Sequence, residues 1–152
     1  MSDAHLPIAV VDTSAIVAIL EQEASAPHFL SALAACDDLR ISAASHLELS
    51  LVARAKKGVP GLALLDRLLV SLGVVVEAFV EPPHATLARV GAVKYGKGFS
   101  AAALNFGDLF SYATAKALDA PLFFQGFDFA QTDVREAMLE LGYKFDAFHR
   151  PI

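Results

Sequence analysis

The sequence has one cysteine, Cys36, and no tryptophan among its 152 residues. A single cysteine excludes an internal disulfide and fits a reducing compartment, and we expect it to be a small core residue. No run of about 18 apolar residues is present, so the sequence predicts no membrane-spanning helix. Residues 1–5 contain Asp3 and no basic cluster, which is unlike a signal peptide. We therefore expect a cytoplasmic protein.

An excess of basic charge is also missing. The net charge is −5, which argues against a protein that coats nucleic acid but permits an acidic site filled by a cation. The sequence has no phosphate-binding P-loop, no G-x-S-x-G nucleophile elbow, no H-E-x-x-H zinc motif and no CxxC pair. Carboxylates are therefore the residues left to carry chemistry.

The pattern of apolar residues predicts an α/β domain with a short, mainly parallel sheet flanked by helices. A hydrophobic share of 55% supports one packed domain over residues 1–152, with a core at about 8–142 and a tail at 143–152. Strands are predicted at 8–11, 39–42, 74–77 and 121–124, and the aromatic tail is expected to be a last edge strand. Helices are predicted at about 14–22, 24–36, 45–57, 62–72, 84–94, 109–118 and 132–141.

Four acids stand near the ends of these elements. Asp12 follows the first strand, at the edge where open α/β sheets place ligands, and Asp128 follows the fourth strand. Asp108 opens a helix and Glu48 lies within one. Each also has a plain structural explanation, because Asp12 and Asp108 suit helix caps and Glu48 suits an exposed surface. Clustered carboxylates favour Mg²⁺ or Mn²⁺ and, with them, phosphodiester hydrolysis by metal-activated water.

Four segments together resemble the PIN domain, and most closely the VapC toxin ribonucleases. They are Val10-Val-Asp12-Thr-Ser-Ala-Ile, Ser45-His-Leu-Glu48-Leu, Leu104-Asn-Phe-Gly-Asp108-Leu-Phe-Ser-Tyr-Ala-Thr-Ala-Lys116, and Pro121-Leu-Phe-Phe-Gln-Gly-Phe-Asp128-Phe-Ala-Gln-Thr-Asp133-Val. The resemblance spans about residues 8–134. One departure is Phe127, which stands where the family often has a polar residue before the fourth acid.

The resemblance implies a three-layer fold and an Mg²⁺- or Mn²⁺-dependent endoribonuclease. By that resemblance Asp12 and Asp108 are metal ligands, and Glu48 and Asp128 complete the catalytic acids. It also gives supporting roles to four residues: Thr13 or Ser14 near the metal, Asn105 bracing Asp108, and Asp133 orienting or capping. Its implied partners are an RNA substrate and a cognate antitoxin, and a homodimer is expected.

Two other functions remain open from the sequence. The first is a non-catalytic PIN-like module that holds a protein partner, with the acids as helix caps. The second, a small phosphohydrolase, is disfavoured because no second acid stands two residues after Asp12, as an aspartyl nucleophile would require. Six basic residues are candidates for phosphate contact: Arg54, Lys56, Lys57, Lys94, Lys97 and Lys116.

Overall fold

The structure, a computed structural model, describes residues 3–152. Strands and helices alternate along this part of the chain, as the sequence predicts. In chain order the elements are β1 (Ala9–Val11), α1 (Thr13–Leu20), α2 (Ala26–Leu33), β2 (Leu39–Ser42), α3 (Ala43–Leu72), β3 (Val74–Glu77), α4 (His84–Tyr95), α5 (Phe106–Leu118), β4 (Leu122–Phe123), a 3₁₀ turn (Phe129–Gln131) and α6 (Ala137–Glu140).

The four strands form one sheet in the order β3-β2-β1-β4, and every pairing is parallel. The predicted α/β class is therefore confirmed, with helices on both faces of the sheet. Because side chains alternate across a strand, Ala9 and Val11 join a core with α1, α2 and α3. Val10 faces the other way, into a core with Tyr112 of α5.

The strand order changes direction at β1. The chain adds β2 and then β3 on one side of β1 and afterwards returns to place β4 on the other side. In open α/β sheets the crevice at such a switch point, outside the carboxyl ends of the strands, is where ligands bind. Asp12, directly after β1, lies at this crevice, and its backbone N–H donates to the carbonyl of Phe123 in β4 (2.9 Å).

The range of α3 contains two helical parts, as the helices predicted at 45–57 and 62–72 imply. They meet at Gly58, whose φ of 66° and ψ of −158° are non-helical and open to glycine almost alone. The predicted break is therefore confirmed, and Pro60 lies in the first turn after it, where α3 tolerates a proline. The start of α3 is set by Ser42, whose hydroxyl accepts the Ala44 N–H (3.3 Å). Among residues 3–152, no helix combines the length and the apolar character needed to cross a membrane.

The predicted helix at 132–141 is wrong over its first half, since only Ala137–Glu140 is helical. Residues 132–136 instead follow the edge of β4. The Leu122 N–H donates to the Arg135 carbonyl (2.9 Å), and Leu122 and Glu136 form a parallel bridge. The Thr132 hydroxyl also accepts the Val134 N–H (3.3 Å). Residues 132–136 therefore form hydrogen bonds with the Thr132 hydroxyl and with β4 in place of the backbone hydrogen bonds of a helix.

The tail at 143–152 is not an edge strand of the sheet. It folds back on itself through one antiparallel bridge between Phe145 and Pro151. Its Tyr143 and Phe145 rings pack against the core that contains α1 and α2. The prediction of an edge strand is therefore wrong, because the tail pairs with itself and not with β3 or β4.

Candidate active site

Asp12 is a buried carboxylate held by hydroxyl groups. Only 3% of the residue is exposed. It caps α1 by accepting the Ser14 N–H (3.0 Å) and the Ser14 hydroxyl (2.7 Å) on one oxygen. The Ser111 hydroxyl donates to the other oxygen (2.6 Å). The capping role that the sequence left open is therefore real, and it orients the carboxylate at the carboxyl edge of the sheet.

Two serines that the sequence reasoning missed connect Asp12 to α3 and α5. Ser111 lies in α5, and its hydroxyl is 3.3 Å from that of Ser45 in α3; both residues are fully buried. Ser45 precedes Glu48 by one helical turn, and Ser111 follows Asp108 by one turn. Residues spaced in this way share a helix face, so a search for hydroxyls one turn from each acid would have found both.

Asp108 is fixed at the start of α5 by a reciprocal pair of bonds with Asn105. The Asn105 side chain accepts the Asp108 N–H (2.9 Å), and the Asp108 carboxylate accepts the Asn105 N–H (3.0 Å). This is a capping box. Asn105 thus braces Asp108, as the sequence resemblance implies for this pair.

Glu48 projects from α3 towards the first turn of α5. The residue is exposed overall, yet its carboxylate end lies so close to Gly107 that a Cβ atom there would collide with it. The carboxylate therefore occupies the space that a side chain would otherwise fill. Glycine at position 107 is what admits Glu48 to the neighbourhood of Asp108.

Asp128 lies in an exposed loop after β4, directly before the 3₁₀ turn. The same loop begins at Gln125, whose N–H donates to the Ser14 hydroxyl (3.0 Å). Ser14 in turn donates to Asp12. The loop is thus tied to the Asp12 network at one end and carries Asp128 at the other.

Burial and nearby carboxylates raise the pKa values of two of the four acids, Asp108 and Glu48. Burial, partly offset by the Asn105 N–H, raises the pKa of Asp108 to about 7, and the charges of Asp12, Asp128 and Glu48 add to this rise. Loss of hydration at its carboxylate end, and then the charge of Asp12, raise the pKa of Glu48. Like charges brought together in this way disfavour ionisation until a cation neutralises them.

We expect the metal-free protein to lose stability as the pH rises towards neutrality. Asp108 has a pKa of 3.8 as a free residue and about 7 when folded, so between these values the folded state binds more protons than the unfolded chain. The free energy of unfolding then falls with rising pH. Thermal unfolding in EDTA from about pH 5 to about pH 8 measures this.

The matched variant for that experiment is Asp108→Asn, which has no carboxyl proton to lose. Its melting temperature should change less over the same range. An equal fall in both proteins would show that Asp108 is not the group responsible.

In the part of the chain that the structure describes, the other two predicted supporting residues, Thr13 and Asp133, make no hydrogen bond to the four acids. Thr13 begins α1, and within residues 3–152 its hydroxyl has no hydrogen-bond partner. Asp133 accepts the Tyr112 hydroxyl (2.9 Å) and the Lys116 ammonium (3.1 Å). Burial raises the pKa of Asp133, but these two hydrogen bonds outweigh it and hold the pKa below its usual value. Asp133 therefore pairs with α5 and does not contribute to the charge around Asp108.

The acids surround the edge of the sheet without meeting at one point. Within residues 3–152, no three Asp, Glu, His or Cys side chains lie close enough together to hold one metal ion. The charges of Asp12, Asp128 and Glu48 nevertheless reach Asp108, so the acids form one electrostatic group and not a compact ligand cage.

This fold, with acids at the carboxyl edge of a parallel sheet, is that of a PIN domain, and the PIN domain family model matches residues 9–135. Ribonuclease VapC30 of Mycobacterium tuberculosis is 44% identical to the chain over 131 residues, which are 86% of this chain and 98% of that protein. The chain therefore belongs to the VapC ribonucleases of the PIN domain family.

Solved structures share the fold. Mycobacterium tuberculosis VapC20, described as a toxin that cleaves the sarcin–ricin loop, superposes with a TM-score of 0.67 at 18% identity, covering 85% of this chain and 97% of that one. A toxin–antitoxin complex from Klebsiella pneumoniae gives a TM-score of 0.62 at 18% identity, covering 82% of this chain and 92% of that one.

Proposed function

We propose that this protein is the toxin of a toxin–antitoxin pair and an endoribonuclease that depends on Mg²⁺ or Mn²⁺. The observation that carries the proposal is the environment of Asp108, whose pKa is raised by burial and then by the charges of Asp12, Asp128 and Glu48. The family name of its relatives supports the reaction. A purely structural set of helix caps would not need four carboxylates at one edge of the sheet.

The donor set fits a hard divalent cation. All four side chains offer carboxylate oxygens, which Mg²⁺ and Mn²⁺ prefer. Mg²⁺ keeps several of its waters and binds directly to only one or two carboxylates. Separated acids are therefore compatible with it, with Asp12 and Asp108 as direct ligands and Glu48 and Asp128 reaching it through water.

The residues of the chain have separate roles in this proposal. The hydroxyls of Ser14 and Ser111 fix the orientation of the Asp12 carboxylate by donating hydrogen bonds to it, and the capping box fixes that of Asp108. Glu48 and Asp128 accept hydrogen bonds from water and align it for attack in line with the scissile P–O bond. A divalent cation held by these residues would supply water of lowered pKa and would stabilise charge on the phosphate oxygens.

Cleavage should require both a divalent ion and Glu48. We expect purified protein, free of antitoxin, to cut a total small-RNA pool into discrete fragments with Mg²⁺ or Mn²⁺ and not with EDTA. Glu48→Gln keeps the size of the side chain but removes the charge, and should lower the rate by about ten- to a hundredfold. Gel analysis of end-labelled RNA measures this.

The matched control is Glu140→Gln, an exposed acid of α6 whose known partner is Arg135 (3.6 Å). It should cleave like the unaltered protein. Metal-independent cleavage, or equal cleavage by Glu48→Gln, would contradict the proposal. The absence of any cleavage by folded protein would favour a module that only binds a partner.

The proposed antitoxin would cover the apolar groove beside the acids. The groove measures about 520 Å³ and is lined by Ala44, Leu47, Glu48, Leu51, Asn105, Phe106, Gly107 and Phe110. Leu47, Leu51 and Phe106 are 61%, 63% and 77% exposed, and apolar surface of this kind marks protein-binding sites. A segment lying here would also block Glu48. The expected homodimer is a separate proposal, tested by the molar mass in solution.

A further inference from the structure

Residues 143–152 follow the matched family region 9–135, and part of this tail is a closed turn built around Asp146. Its carboxylate accepts the N–H groups of Phe148 (2.8 Å) and Arg150 (2.9 Å) and the Arg150 side chain (2.7 Å). The Asp146 N–H donates to the Arg150 carbonyl (2.9 Å). We name residues 145–150 the tail turn.

Within the tail turn, His149 faces the protein, as Phe145 also does. Its ring stacks on Phe145, with centroids 4.2 Å apart and planes within 4°. Its Nε2 is hydrogen-bonded to Glu136, and both side chains are less than one-fifth exposed. Glu136 is itself bridged to Leu122 of β4. The imidazole is thus held between the tail turn and a segment attached to the central sheet.

The same residue contacts the loop that carries Asp128. We name residues 125–128 the acid loop. The His149 carbonyl accepts the Gly126 N–H (3.3 Å), and the His149 ring lies 5.6 Å from that of Phe127. The neighbouring Gln125 N–H donates in a different direction, to Ser14 of the Asp12 network. Two consecutive backbone N–H groups therefore connect the acid loop to its surroundings. That of Gln125 connects it to Asp12 through Ser14, and that of Gly126 connects it to His149.

The hydrogen bond from Gln125 to Ser14 lies wholly within the region that the family model matches, whereas the bond from Gly126 to His149 does not. Without the His149 carbonyl and ring, Gly126 and Phe127 would keep the Gln125 anchor before them and the 3₁₀ turn after them. Gly126 has a φ of 98°, a conformation that glycine adopts and leaves easily. The acid loop would then be free to pivot at this residue, and Asp128 would move with it.

We infer that His149 is a positioning residue, which fixes the acid loop from the tail turn and so sets the place of Asp128 relative to Asp108 and Asp12. This inference rests on the proposed function for its catalytic consequence, but its structural part does not. Positioning partners of metal-binding carboxylates typically account for about ten- to a hundredfold in affinity or activity. His149 is assigned that role here without touching substrate or metal.

The test compares His149→Ala and His149→Asn with the unaltered protein and with His5→Ala. Asparagine tolerates the left-handed backbone of His149 (φ 56°), so it separates loss of the ring from backbone strain. His5 is an exposed histidine paired with Asp37 (3.0 Å), which makes it a control of the same residue type. Three readouts are used: amide hydrogen exchange at Gly126, Mn²⁺ affinity of the protein alone, and RNA cleavage.

We expect both His149 variants to speed exchange by about tenfold at Gly126, whose N–H donates to the His149 carbonyl, while exchange in β1 stays unchanged. Mn²⁺ affinity and cleavage should each fall by about tenfold. In an Asp128→Asn background His149→Ala should change cleavage less than about twofold, since two substitutions acting through one contact are not additive. His5→Ala should change none of these.

Unchanged exchange at Gly126 would overturn the inference, whatever happens to cleavage. An equal loss of cleavage with and without Asp128 would also overturn it, because the tail would then act by another route. If the unaltered protein binds no Mn²⁺ and cleaves no RNA, the proposed function fails. The exchange experiment still decides whether His149 fixes the acid loop.

Discussion

Replacing Asp108 by Asn is expected to abolish RNA cleavage while leaving a folded protein that is at least as stable at neutral pH. The carboxylate is desolvated and lies among three other acids, so its charge opposes folding near its pKa of about 7. The amide keeps an oxygen to accept the Asn105 N–H. Cleavage should fall by at least about a hundredfold, because a direct metal ligand, the role proposed for Asp108, contributes more than the partners that support it. Cleavage rate and melting temperature, both measured near pH 7.5, decide this.

The matched control is Asp119→Asn at the other end of the same helix. Asp119 is exposed and has a left-handed backbone (φ 48°) that asparagine also adopts. It should cleave RNA at the unaltered rate. Cleavage retained by Asp108→Asn, or lost only because the variant unfolds, would remove Asp108 from the proposed site.

Gly107→Ala is expected to separate activity from stability. An added Cβ would meet the Glu48 carboxylate, and this flexible side chain would turn away without disturbing the backbone. Because alanine favours helix over glycine, stability should stay level or rise by up to about 1 kcal/mol. Cleavage should fall by about ten- to a hundredfold, since small displacements of catalytic groups have effects of this size.

The Gly107 prediction is checked by a double-mutant cycle with Glu48→Gln. If the glycine acts only by admitting Glu48, then Gly107→Ala should lower cleavage much less once Glu48 is already altered. Full additivity would mean that Gly107 serves the site in some other way, such as close approach of the substrate. A fall in melting temperature would show that the helix cannot accept the methyl group.

Strands β1 and β4 were predictable from sequence because each is a short apolar run that is buried on both faces. Strand β3 was readable from its three valines, although it is only partly buried. Residues Ala9, Val10 and Val11, for example, are fully buried, and an unbroken apolar run is typical of such a strand. The start of α5 was equally readable, because Asn105 and Asp108 form a local capping box. These elements are set by residues that are close together in the sequence, and they were therefore predicted correctly.

The errors fall where distant contacts decide the local structure. Residues 132–136 have a helical pattern, but they are not helical, because the Leu122 N–H of β4 donates to the Arg135 carbonyl and Leu122 forms a bridge with Glu136. The orientation of the tail likewise depends on a contact between separate segments, that of His149 with Glu136. The turn within the tail is local, since the Asp146 carboxylate accepts the Phe148 N–H, and it was missed because only the aromatic residues of the tail were considered. At the site itself, Ser111 was missed because its bond to Asp12 joins residues far apart in the chain.

The burial of Asp12 among hydroxyls has a genetic consequence. Removing this side chain deletes three hydrogen bonds to a charged group, each of about 1.5–3 kcal/mol, so substitutions there should tend to yield protein that is degraded. Substitutions at the exposed Glu48 and Asp128 should instead give folded protein that does not cleave RNA. This inactive protein would still bind the proposed antitoxin. A genetic screen for alleles that do not harm the cell would therefore find two kinds. Changes at the buried acid would leave little protein in the cell. Changes at the exposed acids would leave inactive protein that binds the partner and so acts dominantly.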